Sequence, residues 1–132
     1  MTERARARAL AVLAVAWAGL IFWASSQPNP FPWVPSGIFS HDKLLHAAAY
    51  ALLGGLVRGA LGSTRLEPSV ASALAIGVAA VYGATDEWHQ RFVPNRMPDA
   101  TDVLADAVGA MLGVAVAALV LRRRGARASI RA

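Results

Sequence analysis

Four apolar runs, each close to the length of a membrane span, dominate this chain of 132 residues. A helix needs about 20 apolar residues to cross roughly 30 Å of hydrocarbon, and a spanning helix satisfies its own backbone hydrogen bonds. The runs therefore predict an all-α membrane protein with four transmembrane helices, which together form a single domain over residues 1–132. The predicted spans are about 9–25, 44–61, 68–85 and 102–121.

The composition favours a membrane protein over a soluble one. The chain is 56% hydrophobic and 16% charged, with a net charge of +5. Ten of its 13 basic residues fall at the ends of apolar runs, so they indicate membrane orientation and not a nucleic-acid partner. The absence of cysteine excludes a disulfide framework and a thiolate metal site. We expect no cofactor and no bound metal.

The first apolar run has two interpretations. The "RARAR" before it and the "WASS" at its end resemble a secretory signal peptide. Its apolar stretch is longer than the usual hydrophobic region of a signal peptide, which favours a retained span.

The distribution of basic residues predicts the orientation. With a cytoplasmic N-terminus, only Lys43, Arg91 and Arg96 of the 13 basic residues lie outside, while the others, including Arg58 and Arg65, lie inside. Because cytoplasmic loops are enriched in lysine and arginine, both termini are predicted to be cytoplasmic, with two extracytoplasmic polar loops. The predicted location is the bacterial cytoplasmic (inner) membrane, so the lipid bilayer is a predicted partner of the chain. The oligomeric state stays open.

The first outer loop, "SQPNPFPWVPSGIFSHDK", is rich in proline and aromatic residues. Proline lacks an amide donor and restricts the residue before it, so this loop is not a helix interior. Aromatic side chains suit the headgroup region of a bilayer, which favours anchoring along the surface over gripping a ligand. The candidate anchors are Trp23, Phe31, Trp33 and Phe39.

Polar residues lie on one face of the second run, in "HDKLLHAAAY". Lys43, His46 and Tyr50 are spaced i, i+3 and i+7, which places them on the same side of a helix, and Asp42 comes just before them. The side chains of this stripe can meet a neighbouring helix or a ligand at the membrane surface.

The fourth run carries two acids on the face that its glycines mark as packed. Asp102, Asp106, Gly109 and Gly113 share one helical stripe, and small residues allow close helix packing. A carboxylate inside the hydrocarbon region costs a few kcal/mol unless it is paired, protonated or hydrated. Asp106 is therefore expected to have a partner, and the candidates are Lys43, His46, Arg91 and Arg96.

The stretch "TDEWHQRFVPNRMPDATD" joins the third and fourth runs. Asp86 and Gln90 share a helix face at its start, next to Glu87. "FVPNR" predicts a turn in which Asn95 tolerates positive φ, and this turn returns Arg96 toward the membrane. "DATD" resembles a capping box, with Asp99 as the N-cap of the fourth helix.

These two motifs, "DKLLHAAAYALLG" and "DEWHQRFVPNRMPDATDVLADAVGAMLG", resemble the VanZ-like membrane proteins, a family named for a teicoplanin-resistance accessory protein. The resemblance covers about residues 1–121. Asn95 stands where many members have glycine, and Asp106 where many have asparagine. The family pattern falls on Asp42, Lys43, His46, Tyr50, Asp86, Glu87, Gln90, Pro94, Arg96, Asp102, Asp106, Gly109 and Gly113.

Three functions stay open from the residues and the resemblance together. The first is an outward-facing polar site that binds an envelope lipid or cell-wall precursor and influences glycopeptide susceptibility. The second is an enzyme that acts on such a lipid by acid/base or divalent-metal chemistry, and the third is a purely structural bundle or scaffold. The predicted site residues are Asp42, Lys43, His46, Tyr50, Asp86, Glu87, Gln90, Arg96, Asp102 and Asp106.

Overall fold

The structure is a computed structural model that describes residues 1–28 and 42–129. These residues form four helices, α1 (Glu3–Ser25), α2 (Asp42–Ala60), α3 (Pro68–Gln90) and α4 (Ala100–Ser129), with a short 3-10 turn (Leu61–Ser63) after α2. All four helices are long and apolar enough to cross a membrane. The prediction of an all-α membrane protein with four spans is confirmed. The proposed anchors Phe31, Trp33 and Phe39 lie outside the described residues.

The helices extend beyond the predicted apolar runs. α3 continues past residue 85 to Gln90, and α4 begins at Ala100 and continues to Ser129. The acids at the end of α3 do not interrupt the helix, because Asp86 and Glu87 are buried against the other helices. The charged residues at the predicted end of the third span therefore lie in a polar interior, and they do not mark the end of α3.

Local sequence explains where two helices begin. Thr2 caps α1, since its side-chain oxygen accepts a hydrogen bond of 3.2 Å from the amide of Ala5. Glu67 caps α3 by accepting from the amide of Ser69 at 3.0 Å, and Pro68 occupies the first turn, where no amide donor is needed.

α2 and α4 form the closest helix pair, and glycine makes this approach possible. A Cβ atom at Gly109 would overlap the carbonyl oxygen of Ala47, and one at Gly113 would overlap that of Ala51. Lipid offers no hydrophobic drive for helices to associate, so close backbone contact supplies part of the attraction. The predicted packed face of the fourth run is therefore buried against α2.

α1 is held against α2 and α3 by two side chains that bond to backbone carbonyl groups. The indole Nε1 of Trp17 donates to the carbonyl oxygen of Ala49 at 2.9 Å. The hydroxyl of Tyr82 donates to the carbonyl oxygen of Ala18 at 2.7 Å. These bonds place α1 beside the polar residues of the other helices.

Polar side chains lie inside the bundle and many large apolar ones lie outside it. Asp106 is fully buried, whereas Val81 on α3 and Leu112 on α4 are 66% and 62% exposed. In lipid an exposed apolar surface carries no penalty, whereas an ionisable group needs a partner inside the bundle. This distribution is what a lipid-embedded bundle requires.

Arg58 departs from its expected place in the inner loop. It lies in the last turn of α2, is only 5% exposed, and its Nε donates to the Ser72 hydroxyl of α3 at 3.0 Å. The Ser72 hydroxyl in turn donates to the carbonyl oxygen of Pro68. Arg58 therefore ties α2 to α3 instead of remaining in solvent.

Candidate functional site

One end of the bundle collects polar side chains from all four helices. The end of α1, the start of α2, the end of α3 and the start of α4 meet there, as expected for antiparallel neighbours joined in sequence. We call this region the polar end.

Lys43 joins the start of α2 to the start of α4. Its Nζ donates to the carboxylates of Asp99 and Asp102, each at 2.9 Å. Asp102 is buried and Asp99 is exposed. Hydrogen bonds from Lys43 and then from Thr101 hold the pKa of the Asp99 carboxyl below its usual range.

His46 pairs with the most deeply buried acid of the bundle. Its Nδ1 lies 3.0 Å from Oδ1 of Asp106, which is 0% exposed. The predicted need of Asp106 for a partner is thus met by α2. Oδ2 of Asp106 is buried and has no hydrogen-bond partner among the described residues.

Asp86 connects α3 to α1. Its Oδ1 accepts a hydrogen bond of 2.5 Å from the Ser25 hydroxyl, and its Oδ2 accepts one of 3.1 Å from Nε2 of Gln90. Next to them, the Ser26 hydroxyl lies 3.0 Å from Nε2 of His89. The last residues of α1 are therefore part of the polar end.

Glu87 completes the cap of α4 from a different helix. Asp99 accepts a hydrogen bond from the Thr101 amide at 2.8 Å, as predicted for an N-cap residue. In a capping box the third residue of the helix would bond back to the N-cap amide, but Asp102 bonds to Lys43 instead. Oε2 of Glu87 accepts from the Asp99 amide at 3.0 Å.

The turn between α3 and α4 contains the predicted left-handed residue. Asn95 has a φ of 61°, which asparagine adopts more readily than most residues. The amide of Arg96 donates to the carbonyl oxygen of Val93, which closes the turn. Arg96 is thereby returned to the polar end, where its Nε is buried without a hydrogen-bond partner among the described residues.

A cavity of about 460 Å³ lies between α1 and α2 and reaches the polar end. Trp17, Leu20 and Leu45 belong to its apolar wall. The Tyr50 hydroxyl is buried there and has no partner among the described residues. The polar side chains that line the cavity are Ser25, His46, Tyr50, Asp86, Gln90 and Arg96.

Three side chains of the polar end have the donor types and the proximity of a metal site. His46, Glu87 and Asp102 each offer one ligand atom, and these atoms lie within 4.8 Å of one another. The three residues come from α2, α3 and α4, so only the folded bundle brings them together.

The polar end contains nine of the ten predicted site residues and several others that the sequence did not indicate. The side chain of Asp42 lies outside the described part of the chain, although Asp42 begins α2. Ser25, Ser26 and Trp17 are not among the predicted site residues, because the two serines lie in "WASS", which resembles the end of a signal peptide, and Trp17 lies within the first apolar run. In an antiparallel bundle the end of the first span lies level with the end of the third, and that signal points to both serines. The predicted residues found together are Lys43, His46, Tyr50, Asp86, Glu87, Gln90, Arg96, Asp102 and Asp106.

Comparison with known proteins identifies the family. No curated protein and no solved structure matches the chain. The family model VanZ/LLP1 matches residues 10–121, which include α2, α3, most of α1 and α4, and the polar end. The match confirms the resemblance carried by the two polar motifs. The chain is a multi-pass membrane protein that belongs to the VanZ-like family.

Proposed function

We propose that the polar end faces the outside of the bacterial cytoplasmic membrane and binds the head of an envelope lipid or lipid-linked cell-wall precursor. The observation that carries this proposal is the cavity between α1 and α2, which joins an apolar wall to a polar end. An amphiphile has the same division, since its chain is apolar and its head is polar. The apolar wall would accept the apolar chain of the lipid, and the polar end would accept its head group.

Arg96 is the proposed contact for the anionic part of the head. It lines the cavity, and its Nε is buried without a partner among the described residues. A guanidinium binds phosphate or carboxylate through two parallel hydrogen bonds, which provides both orientation and affinity. Asp86 and Gln90 line the same cavity and can accept bonds from sugar hydroxyl or amine groups.

The unpartnered groups favour a binding site over a purely structural network. A structural network inside a protein normally satisfies its own members. Here the Tyr50 hydroxyl, Nε of Arg96 and Oδ2 of Asp106 are buried with no partner within residues 1–28 and 42–129. A bound head group would supply partners to the two of these groups whose residues line the cavity, Tyr50 and Arg96.

Lipid retained through purification tests the proposal. The full chain is purified in mild detergent, and bound lipid is extracted and identified by mass spectrometry. We expect wild type to retain a phospholipid or polyprenyl phosphate, and Arg96→Ala to lose it. Arg91→Ala is the matched control, because Arg91 lies at the start of the same turn and is exposed. Equal retention by both variants, or no enriched lipid in any preparation, would contradict the proposal.

Drug susceptibility tests the cellular role. A chain that holds a lipid-linked cell-wall precursor would alter the access of a glycopeptide to that precursor. Expression of wild type is then expected to shift teicoplanin susceptibility, and expression of Arg96→Ala at the same level is not. An identical shift from wild type and Arg96→Ala would show that the change in susceptibility does not depend on the cavity.

A further inference from the structure

We propose that His46, Glu87 and Asp102 bind a divalent first-row transition metal ion, with Mn²⁺ or Zn²⁺ as the best match to their donors. This inference goes beyond the lipid site, because a metal ion can occupy these residues with or without a lipid in the cavity. The three ligand atoms lie within 4.8 Å of one another. Glu87 and Asp102 are buried, and His46 is mostly buried.

The spacing is close to that of a formed metal site. Ligand atoms about 2.1 Å from a common ion lie about 3 to 3.5 Å apart in octahedral or tetrahedral arrangements. Side-chain shifts of about 1 Å would therefore close the present arrangement around an ion. One imidazole with two carboxylates is a mixed nitrogen and oxygen set, which suits Mn²⁺ and Zn²⁺.

Each proposed ligand is held by a second group, as in established metal sites. Asp106 contacts Nδ1 of His46, which is the arrangement of a carboxylate that orients a metal-bound histidine. Lys43 donates to Oδ1 of Asp102, and the Asp99 amide donates to Oε2 of Glu87. These contacts limit the rotation of the three side chains. The side chains therefore lose less conformational entropy when they are ordered around an ion.

The charge balance at the polar end favours a bound cation. The buried acids are Asp86, Glu87, Asp102 and Asp106, each no more than 6% exposed. The basic residues of the predicted site are only Lys43, His46 and Arg96, and His46 is charged only when protonated. A buried carboxylate without compensation is costly in a membrane, so a divalent ion would offset the remaining negative charge. A cluster kept neutral by bound protons is the competing state.

Metal titration of the full chain distinguishes a cluster that binds a metal ion from a cluster that is kept neutral by bound protons. The protein is purified in mild detergent, stripped with EDTA and titrated with Mn²⁺, and free Mn²⁺ is followed by electron paramagnetic resonance. We expect wild type to bind one equivalent, and Glu87→Gln and Asp102→Asn to bind about tenfold more weakly or worse. Zn²⁺ is expected to displace the Mn²⁺, because Zn²⁺ forms the stronger complexes with such donors.

Asp99→Asn is the matched control for Asp102→Asn. Both acids accept a hydrogen bond of 2.9 Å from Lys43, but only Asp102 belongs to the metal cluster. Asparagine is as good an N-cap as aspartate, so the start of α4 is preserved in the control. The control is expected to bind Mn²⁺ as wild type does. Circular dichroism and size-exclusion chromatography establish that each variant is folded.

Thermal unfolding provides a second measurement that does not depend on the resonance signal. An ion that binds only the folded chain raises its melting temperature, so Mn²⁺ should raise that of wild type and Asp99→Asn by similar amounts and that of Asp102→Asn by clearly less. Two results would overturn the proposal: no Mn²⁺ or Zn²⁺ binding to wild type at millimolar concentration, or equal binding by wild type, Glu87→Gln and Asp102→Asn. Neither result bears on lipid retention, which is measured separately.

Discussion

Nδ1 of His46 lies 3.0 Å from Oδ1 of Asp106, and this contact joins α2 to an acid that is fully buried on α4. The contact crosses the same helix pair whose backbones are brought together by Gly109 and Gly113. Polar pairing and close packing in this bundle therefore depend on the same alignment of α2 with α4.

The His46–Asp106 contact leads to a prediction about stability. Asp106→Asn keeps an oxygen acceptor for the imidazole, so the free energy of unfolding should change by less than about 1 kcal/mol. Asp106→Ala removes the acceptor and leaves a small cavity, and should cost about 2 kcal/mol or more. Detergent or thermal unfolding of the purified variants measures both. Equal losses from the two substitutions would show that the oxygen acceptor is unimportant.

Gly113→Ala should destabilise the α2–α4 pair. The added Cβ would overlap the carbonyl oxygen of Ala51, which belongs to the backbone and cannot rotate away. We expect a loss of about 2 to 3 kcal/mol in the free energy of unfolding. Gly77→Ala is the control, because nothing lies within 4 Å of a Cβ at that position and alanine is the better helix former. A Gly113→Ala variant as stable as Gly77→Ala would contradict the packing.

The predicted orientation is tested by single cysteines, since the chain has none of its own. Met97→Cys places a thiol in the α3–α4 turn, where the native side chain is 91% exposed. Ser63→Cys places one at the opposite end, just after α2. In spheroplasts a membrane-impermeant maleimide should label position 97 directly and position 63 only after permeabilisation. The reverse pattern would place the polar end in the cytoplasm.

Glu67 predicts a pH-dependent contribution to stability at the start of α3. Hydrogen bonds from the Ser69 hydroxyl and amide lower the pKa of the Glu67 carboxyl from its usual value of 4.5. A carboxyl whose pKa is lower in the folded chain stabilises it above the unfolded pKa, and this contribution is lost as pH falls through the folded pKa.

The measurement is the melting temperature of wild type and Glu67→Gln between neutral and strongly acid pH. Glu67→Gln should melt slightly lower than wild type at neutral pH, and the difference should disappear in acid. Ser69→Ala removes only the hydroxyl donor and should show a smaller difference with the same trend. If the difference in melting temperature between wild type and Glu67→Gln persisted unchanged in acid, the effect would not come from ionised Glu67.

The four helices and the polar faces of α2 and α4 were predictable because the signals are local. Apolar length predicts a span, and helical spacing places Lys43 with His46 and Asp102 with Asp106 before any helix is packed. Asn95 was identified by its tolerance of positive φ. These properties depend on a few neighbouring residues and are unchanged by the rest of the fold.

Partner choice at the polar end could not be predicted from the same signals. The sequence allowed Lys43, His46, Arg91 or Arg96 to pair with Asp106, and the structure selects His46. It also places Glu87 at the cap of α4. Each outcome depends on the rotation and axial position of one helix against another, which residue spacing within a helix does not specify.

By itself, the sequence determined that this chain forms membrane-spanning helices with polar residues on their facing sides, because hydrophobic length and helical period are properties of each segment alone. Tertiary structure decided that Ser25 meets Asp86, that Arg58 is buried beside Ser72, and that a cavity opens between α1 and α2. The physical reason is that each of these outcomes depends on the rotation and axial position of one helix against another. Residue spacing within a single helix does not specify either, whereas close backbone contacts such as that of α2 with α4 at Gly109 and Gly113 do.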